Sequence, residues 1–220
     1  NLQNGIQLPQ IDGLFSDLAS GQLYAFRYGA GFSDEDIDNI QPLDDMGQPV
    51  GPPIVLSQAL TGLDDDGSIV FNGFGYVIFY DGNGEDFYKI SLPSGAVSLL
   101  KENYELDDHE QAETYWAWYM SEFDGTDYSV VYHPEDTETL VRLNLSTEQT
   151  TTAVAFEKPL GFGGRNAAQF VFSPWDNRLF YHNEYNNGYN NFSGGESLTS
   201  FAATNLIQCT DAPRTLVPLT

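Results

Sequence analysis

The chain has 220 residues, 41 % hydrophobic and 14 % aromatic, and sets 32 acidic residues against 8 basic ones for a formal net charge of −24. That charge repels phosphate backbones and anionic headgroups, so no nucleic-acid partner is expected, and no apolar run approaches the roughly eighteen residues of a spanning helix, so no membrane insertion is expected. The single cysteine, Cys209, excludes an internal disulfide, Cys-based zinc sites, haem attachment through paired cysteines and iron–sulfur ligation within the chain.

Short apolar runs recur along the chain in pairs, each pair separated by turn residues. "IDGLFS" (11–16) precedes "GQLYAF", which ends at Phe26, and "GSIVF" (67–71) precedes "GYVIFY", which ends at Tyr80. "YWAWY" (115–119) precedes "YSVVY", ending at Tyr132, and "AQFVF" (168–172) precedes "NRLFY", ending at Tyr181. The closing aromatics lie 54, 52 and 49 residues apart. Ser20-Gly21, Asp124-Gly125 and Asp176-Asn177 supply tight turns between the members of a pair, where a positive φ or an Asx turn is easily met. These spacings predict that Phe15, Phe71, Tyr119 and Phe172 are equivalent, and likewise Phe26, Tyr80, Tyr132 and Tyr181.

A third element echoes too. Tyr88-Lys89-Ile90-Ser91-Leu92 matches Val141-Arg142-Leu143-Asn144-Leu145, and each is followed by a small-residue turn and a second β-branched or apolar run. No helical period persists along the chain. The expectation is an all-β chain of about four units of roughly fifty residues, each with three or four strands. One twisted sheet of this size buries neither face alone, whereas radially stacked sheets cover one another. The chain is therefore read as a single β-propeller-like domain over residues 1–220, with a two-sheet β-sandwich as the alternative.

The opening unit, Ile11-Asp12-Gly13-Leu14-Phe15 followed by Gly21-Gln22-Leu23-Tyr24-Ala25-Phe26, resembles a hemopexin repeat, in which an Asp-small-small-aromatic strand precedes a Gly-x-x-Tyr-x-Phe strand. The other units lack the Asp-small-small start. Their Tyr-Lys-Ile-Ser-Leu and Ser-Gly pattern resembles the repeats of secreted β-propellers, which implies an extracellular setting. The acidic, Asn-, Gly- and Tyr-rich, Lys-poor composition points the same way, to an extracellular or cell-surface protein.

Three acidic clusters bear on chemistry: Asp34, Asp36 and Asp38; Asp64, Asp65 and Asp66; and "DGNGEDF", with Asp81, Asn83, Glu85 and Asp86. Calcium takes about six to eight oxygens, and carboxylates alternating with glycines supply several from one loop. The third cluster is the candidate metal loop, with a solvated hairpin tip as the structural alternative. His109 lacks a second histidine at i+4, and His133 and His182 follow the equivalent Tyr132 and Tyr181, so both read as structural positions. No nucleophile elbow or phosphate loop occurs, and neither haem nor nucleotide is expected. Trp116 and Trp118 alternate with Tyr115 and Tyr119, and "NEYNNGYNNFSGG" (183–195) carries Tyr185 and Tyr189, so Trp116, Trp118, Tyr185 and Tyr189 are the candidate ligand or partner surface.

The functional expectation is an extracellular binding or structural module, stabilised by calcium, with a protein or carbohydrate partner. Its terminal strands either close the ring or pair with a neighbouring copy. The alternative is a carbohydrate-active hydrolase or lyase using a carboxylate pair on a propeller face.

Overall fold

β1 (Gly13–Ser16), β2 (Leu23–Phe26), β3 (Ile37–Leu43) and β4 (Ile54–Leu60) run antiparallel in the order in which they leave the chain, a four-stranded meander. The computed structural model describes residues 13–26, 37–60, 68–82, 84–106, 119–132, 139–155, 169–173, 178–184 and 196–202. Within them the meander recurs as β5 (Ile69–Asn72), β6 (Tyr76–Asp81), β7 (Asp86–Ser91) and β8 (Ala96–Lys101). It recurs again as β9 (Tyr119–Phe123), β10 (Tyr128–Tyr132), β11 (Thr139–Asn144) and β12 (Thr150–Ala155). A fourth begins with β13 (Gln169–Ser173), β14 (Arg178–Glu184) and β15 (Glu196–Ala202). No helix occurs among the described residues, and the architecture is all-β and propeller-like.

The leading strands of successive units lie side by side. β5 and β9 pair in parallel, Phe71 with Tyr119 and Asn72 with Met120, which fuses the second and third meanders into one eight-stranded sheet. Ser16 N–H donates to Asn72 Oδ1 at 2.9 Å and Leu18 N–H to Gly73 O at 2.8 Å, tying the first unit to the second in the same way.

Alternation along each strand explains what fills the seams. All six residues of β6, YVIFYD, are buried, because each of its faces meets a neighbouring unit. Val77 and Phe79 pack with Phe15, Tyr24, Phe26 and Ile40 of the first unit, and Ile90 joins them from β7. Ile78 and Tyr80 point the other way, into Val130, Tyr132, Leu143 and Leu145 of the third unit. Each fully buried Phe or Ile contributes about 1.5–3 kcal/mol, so these two clusters dominate the stability of the stack. The remaining faces are also covered: Ala25, Gln41 and Leu43 on the far side of unit one, and Glu122, Ser129 and Val131 on the far side of unit three.

The outer strands meet as well. Ser57 N–H of β4 donates to Gly95 O at 2.9 Å, and Val97 N–H of β8 to Ser57 Oγ at 2.8 Å. Gly95 has φ 72°, and a methyl group there would lie 2.5 Å from Val55 O. Only glycine satisfies both the left-handed turn and the close backbone approach.

Register corrects part of the predicted equivalence. Phe15, Phe71 and Phe172 are each the penultimate residue of a leading strand, one before the pairs Ser16–Leu23, Asn72–Val77 and Ser173–Arg178. In the third unit the closing pair is Phe123–Tyr128, so that position belongs to Glu122, and Tyr119 lies three residues earlier. Likewise Phe26, Tyr80 and Tyr181 match one another, and their counterpart in the third unit is Val131 rather than Tyr132. The third-strand echo holds: Ile90 and Leu143 both face the preceding unit, and the turns after them close through Gly95 N to Ser91 O and Glu148 N to Asn144 O, each 2.9 Å. The terminal segments 1–10 and 214–220, read as ring-closing or partner-pairing strands, lie outside the described residues.

Candidate functional site

The predicted metal loop joins β6 to β7, with Asp81 opposite Asp86 at the mouth of the hairpin. Three of the four candidate ligands are described; Asn83 is not. Asp81 is buried, and its Oδ1 accepts Gly84 N–H at 3.2 Å. Gly84 brings the two carboxylates toward one point: a methyl on it would sit 3.0 Å from Asp81 Oδ2 and 3.7 Å from Asp86 Oδ2. Both oxygens of Asp86 are engaged, Oδ1 by Asn103 N–H at 3.0 Å and Oδ2 by the Tyr88 hydroxyl at 2.9 Å. Glu85 takes a left-handed φ of 55°, and its carbonyl accepts Tyr104 N–H at 2.8 Å. The loop thus grips the segment that follows β8. Among the described residues no three His, Cys, Asp or Glu side chains converge as a metal-holding group.

This acidity acts on two tyrosines. Burial, with a smaller push from Glu85, Glu105 and Asp81, raises the Tyr80 hydroxyl to about 12, although Leu106 N–H donating to it at 3.3 Å works the other way. Burial and the hydrogen bond to Asp86 raise Tyr88 to about 12 as well.

Three carboxylates are buried among the described residues, Asp17, Asp81 and Glu122, one in each of the first three units. Asp17 receives Ala19 N–H (3.0 Å), Ser20 N–H (3.2 Å), Ser20 Oγ–H (2.5 Å) and, from the neighbouring unit, Gly75 N–H (2.6 Å). Glu122 is held by Arg142 through Nε to Oε2 at 2.6 Å and Nη2 to Oε1 at 3.3 Å. Asp17 and Glu122 are bound by several donors each, which is how structural carboxylates are satisfied in a low-dielectric seam.

The predicted aromatic surface, Trp116, Trp118, Tyr185 and Tyr189, lies outside the described residues. A different aromatic corner stands at the β9–β10 turn. Among the described residues the exposed large hydrophobics are Met46, Val50, Val55, Leu99 and Phe123, and Phe123 alone is aromatic, 43 % exposed. Its ring stacks on Tyr128 with centroids 4.5 Å apart and an interplanar angle of 27°. Tyr76 of the second unit meets Tyr128 edge-on at 5.2 Å, and Lys89 Nζ lies 5.1 Å from the Tyr128 centroid while donating to its hydroxyl at 3.2 Å. The turn itself, Asp124-Gly125-Thr126-Asp127, is pinned by Asp124 Oδ1, which accepts Thr126 N–H and Asp127 N–H, each at 2.8 Å. The stretch "FDGTDY" carried a readable signal, an aromatic at each end of an acidic turn. Cross-strand pairing makes those two aromatics neighbours.

No known protein family and no curated protein matches the chain in sequence. In structure it is similar to hydrazine synthase of Kuenenia stuttgartiensis, at 9 % identity over 92 % of this chain and 48 % of that one, TM-score 0.40. It is similar also to TolB of Acinetobacter baumannii, at 13 % identity over 89 % and 41 % of the two chains, TM-score 0.41. A third likeness is to a Bacteroides thetaiotaomicron protein of unknown function, at 13 % identity over 82 % and 40 %, TM-score 0.35. The chain spans less than half the length of each of these proteins.

Proposed function

We propose that the chain is a binding or structural module, extracellular or at the cell surface, that engages a protein or carbohydrate partner through loops and aromatic side chains. The observation that carries this reading is the Phe123 ring, left exposed yet stacked on Tyr128, which Tyr76 and Lys89 hold in turn. A ring held in this way loses little conformational freedom on binding, which favours its use as an anchor. The engagement of Asp17 across a seam and of Glu122 by Arg142 supports a binding role over acid–base chemistry.

Calcium enters the proposal at the Asp81–Asp86 loop, where two carboxylates already approach Gly84. Bound calcium there raises the melting temperature and a chelator lowers it again. A melting curve indifferent to both removes calcium from the account.

The functional test sets the wild-type chain and Phe123→Ala against purified glycans and purified peptides of basic, neutral and acidic composition, with glycan cleavage followed in the same samples. Retention of one ligand class by the wild type, its loss in the variant and the absence of turnover are expected. Glycan cleavage that survives Phe123→Ala would replace the module with the hydrolase or lyase reading.

A further inference from the structure

We propose that the Phe123 corner docks a cationic side chain, lysine or arginine, of a basic protein partner; the inference rests on the binding-module reading and names its ligand class. Phe123 presents an open aromatic ring beside an acidic turn, and Asp124 and Asp127 lie in that turn, Asp124 exposed and Asp127 half-buried. A cation over an aromatic ring is attracted by the ring's quadrupole, and a carboxylate at the rim adds to that attraction. The Asp124 carboxylate is fixed by the Thr126 and Asp127 amides, and those hydrogen bonds lower its pKa, so it is anionic throughout the neutral range.

The fold already shows this recognition once. Tyr128, the ring beneath Phe123, has the Lys89 ammonium 5.1 Å from its centroid and bonded to its hydroxyl. The same pair of rings therefore accepts a cation from within the chain and offers its second ring outward. Three of the chain's own cations are already committed elsewhere. Only 8 basic residues are present, and Lys89, Lys101 and Arg142 are engaged with Tyr128, Glu148 and Glu122 respectively. The net charge of −24 supplies the complementary long-range field that draws a basic partner in, while the ring and turn supply the local contact. A neutral carbohydrate would also stack on Phe123 and donate hydroxyl hydrogen bonds to a carboxylate, but it would gain nothing from the field.

The test uses the full chain and a short arginine-containing peptide, with the same peptide carrying neutral citrulline as its control. Titrations are run above about 0.15 M salt, where the Debye length falls below about 8 Å and general attraction to the acidic surface is screened. Wild type and Phe123→Tyr are expected to bind the arginine peptide equally, Phe123→Leu about fivefold or more weakly, and none of them the citrulline peptide. Paired Asp124→Asn and Asp127→Asn substitutions, which keep a turn acceptor but remove the charge, are expected to weaken binding further. Equal binding of the arginine peptide by Phe123→Leu and wild type would overturn the inference, because only diffuse charge would then be at work. Loss in Phe123→Leu of a neutral glycan or neutral peptide, with the arginine peptide unaffected, would overturn it too while leaving the module reading intact. Indifference of every ligand to Phe123 would remove both.

Discussion

Glu122 and Arg142 form a two-pronged ion pair, 2.6 and 3.3 Å, at the leading-strand position where the first, second and fourth units place Phe15, Phe71 and Phe172. Glu122 is 2 % exposed. Removing one partner of a buried pair strands the other charge, whereas replacing both by apolar residues is often neutral. Glu122→Gln is therefore expected to destabilise the chain by about 3 kcal/mol. The double replacement Glu122→Leu with Arg142→Met is expected to recover most of that loss. Urea unfolding of the three proteins checks it, and a Glu122→Gln midpoint at the wild-type value would show that the pair contributes nothing.

Asp17 stitches the first β-turn to the Gly75 turn of the next unit. Asp17→Ala leaves several N–H donors without their acceptor, and a loss of about 3 kcal/mol is expected. Asp124 makes the same turn contacts but, among the described residues, bonds within its own turn rather than to a neighbouring unit, so Asp124→Ala is expected to shift the unfolding midpoint far less. Similar midpoints for the two variants would contradict the seam role of Asp17.

Gly95 and Gly51 both have left-handed backbone, φ 72° and 74°, but a methyl on Gly51 would meet nothing within 4 Å while one on Gly95 would strike Val55 O at 2.5 Å. Gly51→Ala should lose about 1 kcal/mol from backbone strain alone. Gly95→Ala should lose distinctly more, because β4 and β8 must also move apart. Thermal melts of the pair separate the two contributions.

How much of this was legible beforehand depended on which physical rule each residue obeys. Ile90 and Leu143 were recoverable because a period of two, set by strand geometry, puts both on the face toward the preceding unit. Tyr132 misled because an aromatic end marker does not fix register; the Phe123–Tyr128 closing pair does, and it shifts the third unit by one residue in its second strand. Asp86 is legible as an oxygen donor because its neighbours alternate acid and glycine, whereas its hydrogen bonds to Tyr88 and Asn103 come from packing that no local pattern encodes. Phe123 carries no local mark that sets it apart from any residue before a turn. Its exposure follows from how unit two packs behind Tyr128.

Buried Tyr80 and half-buried Tyr88 set an alkaline limit. Tyr80 and Tyr88 hold their protons to about 12 in the folded chain, against 10.0 for a free tyrosine. A raised folded pKa means that their stabilisation is complete below pH 10 and is lost as pH rises from about 10 through about 12. Phenolate absorbance should show late-titrating tyrosines that appear together with unfolding, and Tyr80→Phe should flatten the pH dependence of stability in that window. Early titration of every tyrosine while the chain stays folded would refute the burial argument.

The central claim is that Phe123 is a fixed recognition surface, and fluorine at that ring reads it most directly. With 4-fluorophenylalanine at position 123, the ¹⁹F resonance is followed while the arginine peptide, its citrulline control and purified glycans are titrated in turn. A saturable shift with the arginine peptide, absent with citrulline and glycans, is the predicted result. A resonance that stays in place while the peptide binds elsewhere on the chain would contradict it.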